Sequence, residues 1–329
     1  MVSTSEKFQY GIFVIMIFLT GSFFFTELIT GILIKSLSLQ ADAFHMLSDI
    51  VALIFGLYAL KISRRGPDDR ATFGYARAEI IGGLMNASFL LATCLFIILD
   101  SIDRFQHLEN DTLAKEVDIL LLVGGIGLGI NIVGFVLFSL TNRHHHHEHH
   151  HDNMNLKGVM LHLLGDSLGS VGVMVSGFII KYMESPYRFL ADPICSLVIV
   201  CIIMAHVVPF IYRCYNILLQ KAPKEIEMEK VRTEIMALPS IMDVHHFHVW
   251  RLSGLKIIAS LHVIVNREGL DDLIETYVQI ENILHKHGIH STTIQPEFVV
   301  GKSPETCANL VCELDGCTDK RCCEIMESV

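Results

Sequence analysis

The stretch His45-Met46-Leu47-Ser48-Asp49-Ile50-Val51-Ala52-Leu53-Ile54-Phe55 lies in an apolar run long enough to cross a membrane. Its beginning is repeated in form by His162-Leu163-Leu164-Gly165-Asp166, inside a second such run. On a helix, residues four apart share a face, so each histidine stands beside its aspartate. Ionisable groups are costly at membrane depth, and four of them in one repeated pattern point to an ion pathway. Two such faces meeting offer two imidazoles and two carboxylates, a donor set suited to tetrahedral Zn²⁺. A packing role, with each pair held by helix–helix hydrogen bonds, would account for one pair. It does not account for the same spacing twice.

The rest of the chain fits this setting. Of 329 residues, 51% are hydrophobic and only 18% charged, and the mean hydropathy is +0.48. That is too apolar for an ordinary soluble chain. The formal charge of −10 argues against a nucleic-acid partner, which needs a basic stripe. Taking about 20 apolar residues per span, six spans are predicted: Phe8–Ile34, Leu39–Ile62, Ala78–Ile102, Val117–Leu140, Leu156–Tyr182 and Phe189–Leu219. The first is too long for the apolar core of a signal peptide. Basic residues cluster at the end of span two and beyond it (Lys61, Arg64, Arg65, Arg70, Arg77), between span four and the start of span five (Arg143, Lys157) and at the exit from span six (Arg213, Lys221, Lys224). The positive-inside rule then predicts both termini in the cytoplasm. The G-x-x-x-G pairs Gly125/Gly129 and Gly165/Gly169 predict close helix approach.

Beyond Pro223 the pattern becomes that of a soluble unit. Lys224–Leu238 reads as a helix, Ile241–Arg251 as a strand and Ser253-Gly254 as a turn. Leu255–Val265 reads as a strand, Leu270–His287 as a helix stopped by Gly288, and His290–Val299 as a third strand. The expected fold is therefore an α-helical membrane protein, six transmembrane helices followed by a small α+β (αββαβ) cytoplasmic domain. The expected domains are a transport domain over 1–221 with a histidine-rich loop at 143–153, the αββαβ domain over 222–300, and a tail over 301–329.

These features, in this order, resemble the cation diffusion facilitator family. The run Ala41-Asp42-Ala43-Phe44-His45-Met46-Leu47-Ser48-Asp49 is similar to its span-two signature. His245-His246-Phe247-His248-Val249-Trp250 and Gly288-Ile289-His290-Ser291-Thr292-Thr293-Ile294-Gln295-Pro296-Glu297-Phe298 resemble the animal zinc transporter 1 branch. The resemblance implies a homodimeric Zn²⁺/H⁺ exchanger working by alternating access. It further implies zinc export from the cytoplasm, across the plasma membrane or into an organelle. It also implies a regulatory zinc site at His245, His262 and Glu297.

The expected transport site is His45, Asp49, His162 and Asp166. Metal binding needs deprotonated ligands, so zinc and protons compete for it, and a histidine with an ordinary pKa near 6.5 can exchange them near neutral pH. Asp42, on the same stripe, is a candidate entrance ligand. Glu27, Glu79, Asn86, Asn131 and Asp192 read as interhelical hydrogen-bonding or edge residues. Asp68 and Asp69 in the loop after span two lack a histidine, so no metal site is expected there.

The run His144–His147 and His149–His151, broken by Glu148, reads as a loop for multivalent zinc capture. It contains an H-E-x-x-H match, but a histidine-only loop is a poor helix and the protease reading fails. The tail cysteines Cys307, Cys312, Cys317, Cys322 and Cys323 lack zinc-ribbon spacing, and as cytoplasmic thiols they are expected to be reduced. In the sheet, strict alternation places His246 and His248 on one face and His245 on the other. Two alternatives to a zinc exchanger stand beside it: a membrane zinc sensor without turnover, and a transporter of another divalent metal.

Overall fold

The computed structural model describes residues 4–34, 37–106, 111–144, 154–254, 256–266 and 273–298. The chain divides between Leu218 and Leu219 into two compact units.

The first unit holds six long helices: α1 (Thr4–Ile34), α2 (Leu37–Ser63), α3 (Ala78–Gln106), α4 (Asp111–His144), α5 (Met154–Tyr182) and α6 (Ala191–Leu218). All six are long and apolar enough to cross a membrane. In hydrocarbon a helix satisfies its own backbone, which is why a run of this composition must take that form. Hydroxyls inside the spans obey the same constraint. Ser22, Thr26 and Thr30 on α1, and Ser167 and Ser170 on α5, each donate to the carbonyl four residues back.

Helix α5 lies between two apolar clusters. Ile12 and Met16 of α1, Leu53 of α2 and Phe138 of α4 pack on Val159 and Leu163. Ile80, Leu90 and Cys94 of α3 pack with Ile203, Val207 and Phe210 of α6 and with Met154 of α5. Glycine permits the tightest crossing. A Cβ on Gly158 would stand 2.8 Å from Gly83 Cα, and one on Gly83 would stand 2.6 Å from the Met154 carbonyl oxygen. The backbones of α3 and α5 therefore touch, which any side chain would prevent. Of the two predicted pairs only Gly165 meets a neighbour, Leu90, at 2.9 Å; Gly125, Gly129 and Gly169 face open space. Spacing marks small faces, but the partner helix decides which are used.

Polar residues tie these helices together. Glu79 Oε1 accepts from the Met154 backbone N–H at 2.6 Å, so α3 caps the start of α5. A carboxylate at a helix N-terminus also meets the positive end of its dipole. Asn155 donates to the Gly56 carbonyl at 2.7 Å, joining α5 to α2. Asp192 accepts from Ser176 Oγ at 2.9 Å and from Arg104 at 2.5 Å. Glu79 and Asp192 thus make interhelical bonds of the kind expected.

The second unit contains α7 (Met228–Met236), β1 (Ile241–Ser253), β2 (Lys256–Val265), α8 (Leu273–Lys286) and β3 (Ser291–Phe298). The order is αββαβ. Helix α7 is shorter than expected: the Ile226 N–H bonds the Pro223 carbonyl in a turn, and the N-cap residue Glu227 makes no side-chain cap hydrogen bond. At its other end Pro239 holds the preceding residue out of helical conformation. β2 is central, antiparallel to β1 and parallel to β3. Pro296 sits in β3, an edge strand, where a missing N–H is tolerated. Val231, Ile235, Ile280 and Leu284 of the two helices form the core with Ala259, Leu261 and Val263 of β2. Alternation along β2 turns His262 to the opposite face of the sheet.

Candidate metal sites

The first site lies between α2 and α5. Asp49 is two turns before Gly56, whose missing side chain lets Phe13, Val159 and Asn86 close over α2. His162 is one turn beyond Gly158, so the glycine crossing sets its height. His162 Nε2 lies 3.0 Å from Asp49 Oδ1 and 3.6 Å from Asp166 Oδ2. One donor atom from each of the three residues falls within 4.8 Å of the others, a spacing that can hold a metal ion. The site is dry-walled: His162 is 3% exposed and Asp49 5%. Three of the four expected ligands are thus brought together. The fourth, His45, is in α2, but its side chain lies outside those described, as does that of Asp42.

Beneath this site, toward the N-terminal end of α5, several buried polar atoms have no hydrogen-bond partner among the described residues. They are Asn155 Oδ1, both amide atoms of Asn86, and His162 Nδ1 itself. Buried polar atoms are nearly always satisfied, so these stand out beside the cluster.

The second site is on the face of the sheet away from the helices. His245 stands directly across from His262 on β2, and Glu297 is on β3. His262 Nδ1 lies 2.8 Å from Glu297 Oε1. His245 Nε2 approaches Glu297 Oε2 at 3.2 Å, but off the hydrogen-bonding direction, so that nitrogen has no hydrogen bond among the described residues. One donor from each of these three also falls within 4.8 Å of the others.

Strict alternation fails beside this site. β1 carries a bulge between His245 and His248, where His246 and Phe247 together oppose Leu261. His246 takes a positive φ of 48°. The bulge keeps Phe247 against the core and turns His246 to the same side as His245. Their rings are 5.3 Å apart, and His246 is 5.0 Å from His262. The prediction that His245 and His246 face opposite ways is therefore corrected: one extra residue resets the phase. Burial, then the neighbouring His262, His245 and His248, hold the His246 pKa below its ordinary value.

Other candidates have structural partners. Asp68 accepts from the Arg70 and Ala71 backbone N–H groups and from Tyr75 Oη, a turn that lowers its pKa chiefly through the Ala71 bond. His287 Nε2 pairs with Glu234 at 3.2 Å, and His285 Nδ1 lies 2.8 Å from His290 Nδ1. The stretch 145–153 with most of the histidine run, and the tail cysteines, lie outside the described residues.

With this geometry in hand, comparison with known proteins is decisive about kinship. A profile described as the cation efflux transmembrane domain matches residues 13–219. The chain belongs to the cation efflux family. A second profile, the cytoplasmic domain of cation efflux proteins, matches residues 223–299. Among relatives, the vacuolar zinc transporter ZRC1 of Saccharomyces cerevisiae is 33% identical, over 85% of this chain and 81% of its own. The proton-coupled zinc antiporter SLC30A1 of Homo sapiens is 28% identical over 94% and 86%. The calcium/manganese antiporter SLC30A10 of Homo sapiens is 29% identical over 94% and 83%. This cation efflux protein is thus a multi-pass membrane protein with six spans and a small cytoplasmic domain.

Proposed function

We propose that the chain is a proton-coupled zinc transporter that exports Zn²⁺ from the cytoplasm by alternating access. The observation that carries this is the convergence of Asp49, His162 and Asp166 from two membrane helices, with donors within 4.8 Å and almost no exposure. His45, one turn from Asp49, supplies the fourth ligand. Two carboxylates neutralise the dication, and two imidazoles favour zinc over manganese or calcium, which prefer oxygen donors. Because ligands come from both α2 and α5, a shift of one helix against the other opens the site to one side or the other. Protons arriving at the carboxylates and imidazoles compete the metal off. The buried polar atoms of Asn86 and Asn155 lie on the approach from the cytoplasmic end, where the positive-inside rule puts the start of α5. His245, His262 and Glu297 form a regulatory zinc site. The family's cytoplasmic domain supports a homodimer, and the chain sits in the plasma membrane or an organelle membrane with both termini cytoplasmic.

Zinc flux into proteoliposomes, with and without an imposed pH gradient, tests this. Gradient-driven flux that disappears in Asp49→Ala and in Asp166→Ala is expected. Folded, zinc-binding protein that moves no metal would instead be a sensor.

A further inference from the structure

The sheet site has more donors around it than the three just described. We propose that His246 is a metal ligand and completes, with His245, His262 and Glu297, a closed four-donor zinc site. The proposal rests on reading those three residues as a zinc site, and adds to it.

Three observations carry it. The first is spacing. Imidazoles bound tetrahedrally to one zinc, with nitrogens at about 2.0–2.1 Å, hold their ring centres roughly 5.2 Å apart. The rings of His245, His246 and His262 are mutually 5.3, 5.0 and 5.3 Å apart. Three rings in one near-equilateral set match the spacing that a single central ion would hold, and a turn of the His246 ring is what would add its nitrogen to the donor atoms of His245, His262 and Glu297. His248, 6.3 Å from His246 and exposed, is outside the set.

The second observation is backbone. A histidine at φ 48° is in a conformation that costs an L-residue free energy, and such strain persists where the position has a task. The bulge supplies that task by placing two consecutive histidines, 245 and 246, on one face. An unbulged strand would have put Phe247 there instead.

The third is chemistry. Three donors leave a zinc open to water, the arrangement of catalytic sites, whereas four protein ligands make the closed arrangement of structural sites. A closed site that clamps the bulge of β1 to β2 and to the edge strand β3 makes the shape of this face depend on zinc.

The test uses the full chain in detergent, with Asp49→Asn and Asp166→Asn disabling the membrane site and the histidines of 144–151 replaced by serine. Zinc affinity is measured by chelator competition. The coordination of one zinc equivalent is read by X-ray absorption, which separates nitrogen from any tail-thiol sulfur. His246→Gly is the key variant, since glycine accepts the positive φ and keeps the bulge. The expected result is an affinity loss exceeding the roughly 10–100-fold that removal of an indirect partner causes, with the imidazole count falling from three to two. His246→Asn should do the same, and His248→Gln should change neither. If His246→Gly keeps full affinity and three imidazoles while His245→Gln and His262→Gln lose the metal, the three-residue site stands and the His246 ligand is overturned. If His245→Gln and His262→Gln also leave zinc bound, the site reading itself falls, and the proposal with it.

Discussion

The two metal-type clusters use the same side chains in opposite settings. The membrane cluster is built on α2 and α5, helices clamped by glycine crossings, with Asp49 and His162 buried to within a few per cent and Asp166 partly buried. The sheet cluster is half-buried, sits on a strand with a bulge, and includes an edge strand. In the first, the scaffold is regular and the ligand spacing is the helix period. In the second, the scaffold departs from its period where the histidines gather. On the proposed function, a site that must release its metal would stand on whole helices, and a site that senses it on a local distortion that the metal can hold.

The sharpest test of that contrast replaces a carboxylate at each site. Asp49→Asn should reduce gradient-driven zinc flux to background, because the isosteric amide lacks the charge that balances the dication. Glu297→Gln should leave maximal flux at saturating zinc close to the parent and shift only the zinc concentration at which flux is half-maximal. Equal loss in both would merge the two sites into one pathway.

A smaller effect is expected at the glycine crossing. Gly158→Val forces its side chain onto the Gly83 backbone and should cost about 1–3 kcal/mol. Gly169→Val, on the same helix but facing open space, should change stability by about 0.5 kcal/mol or less. Thermal unfolding in detergent separates the two. Matching losses would mean that the crossing does not position α5.

Removing the cap on α5 comes next. Glu79→Ala leaves the Met154 N–H without its 2.6 Å acceptor and should cost about 1 kcal/mol. Faster amide exchange over residues 154–157, with residues 162–166 unchanged, is the expected signature.

The smallest effect belongs to the cytoplasmic domain. The His287 imidazole 3.2 Å away, with help from Lys286, holds the Glu234 carboxyl below its usual 4.5. A depressed carboxylate pKa stabilises the folded state fully above 4.5, and that contribution is lost as pH falls through the lowered folded value. Glu234→Gln should therefore flatten the acid limb of the stability profile and leave neutral pH almost unchanged. The pair is only partly buried and reached by solvent, so the change is slight.

How much was legible depends on whether the local period was kept. The six helices follow from apolar length alone, and Asp49, His162 and Asp166 follow from the i, i+4 rule, because α2 and α5 run regularly through them. The order αββαβ follows from turn signals at Ser253-Gly254 and Gly288. His246 was assigned to the wrong face because period two was carried through a bulge. The signal was present: the inward residues Val244, Phe247 and Val249 are spaced three then two, a phase slip that marks one extra residue. The contacts of Gly83 and Gly158 were not legible, since a small residue announces that something can approach but not what.

The bond from Met154 to Glu79 has a further consequence. The position of α5 along its axis is held from a neighbouring helix, whose carboxylate anchors its first turn. Helix α3 therefore acts as a stop for α5 while carrying none of the clustered donors, so the axial register of His162 and Asp166 has a determinant outside their own helix.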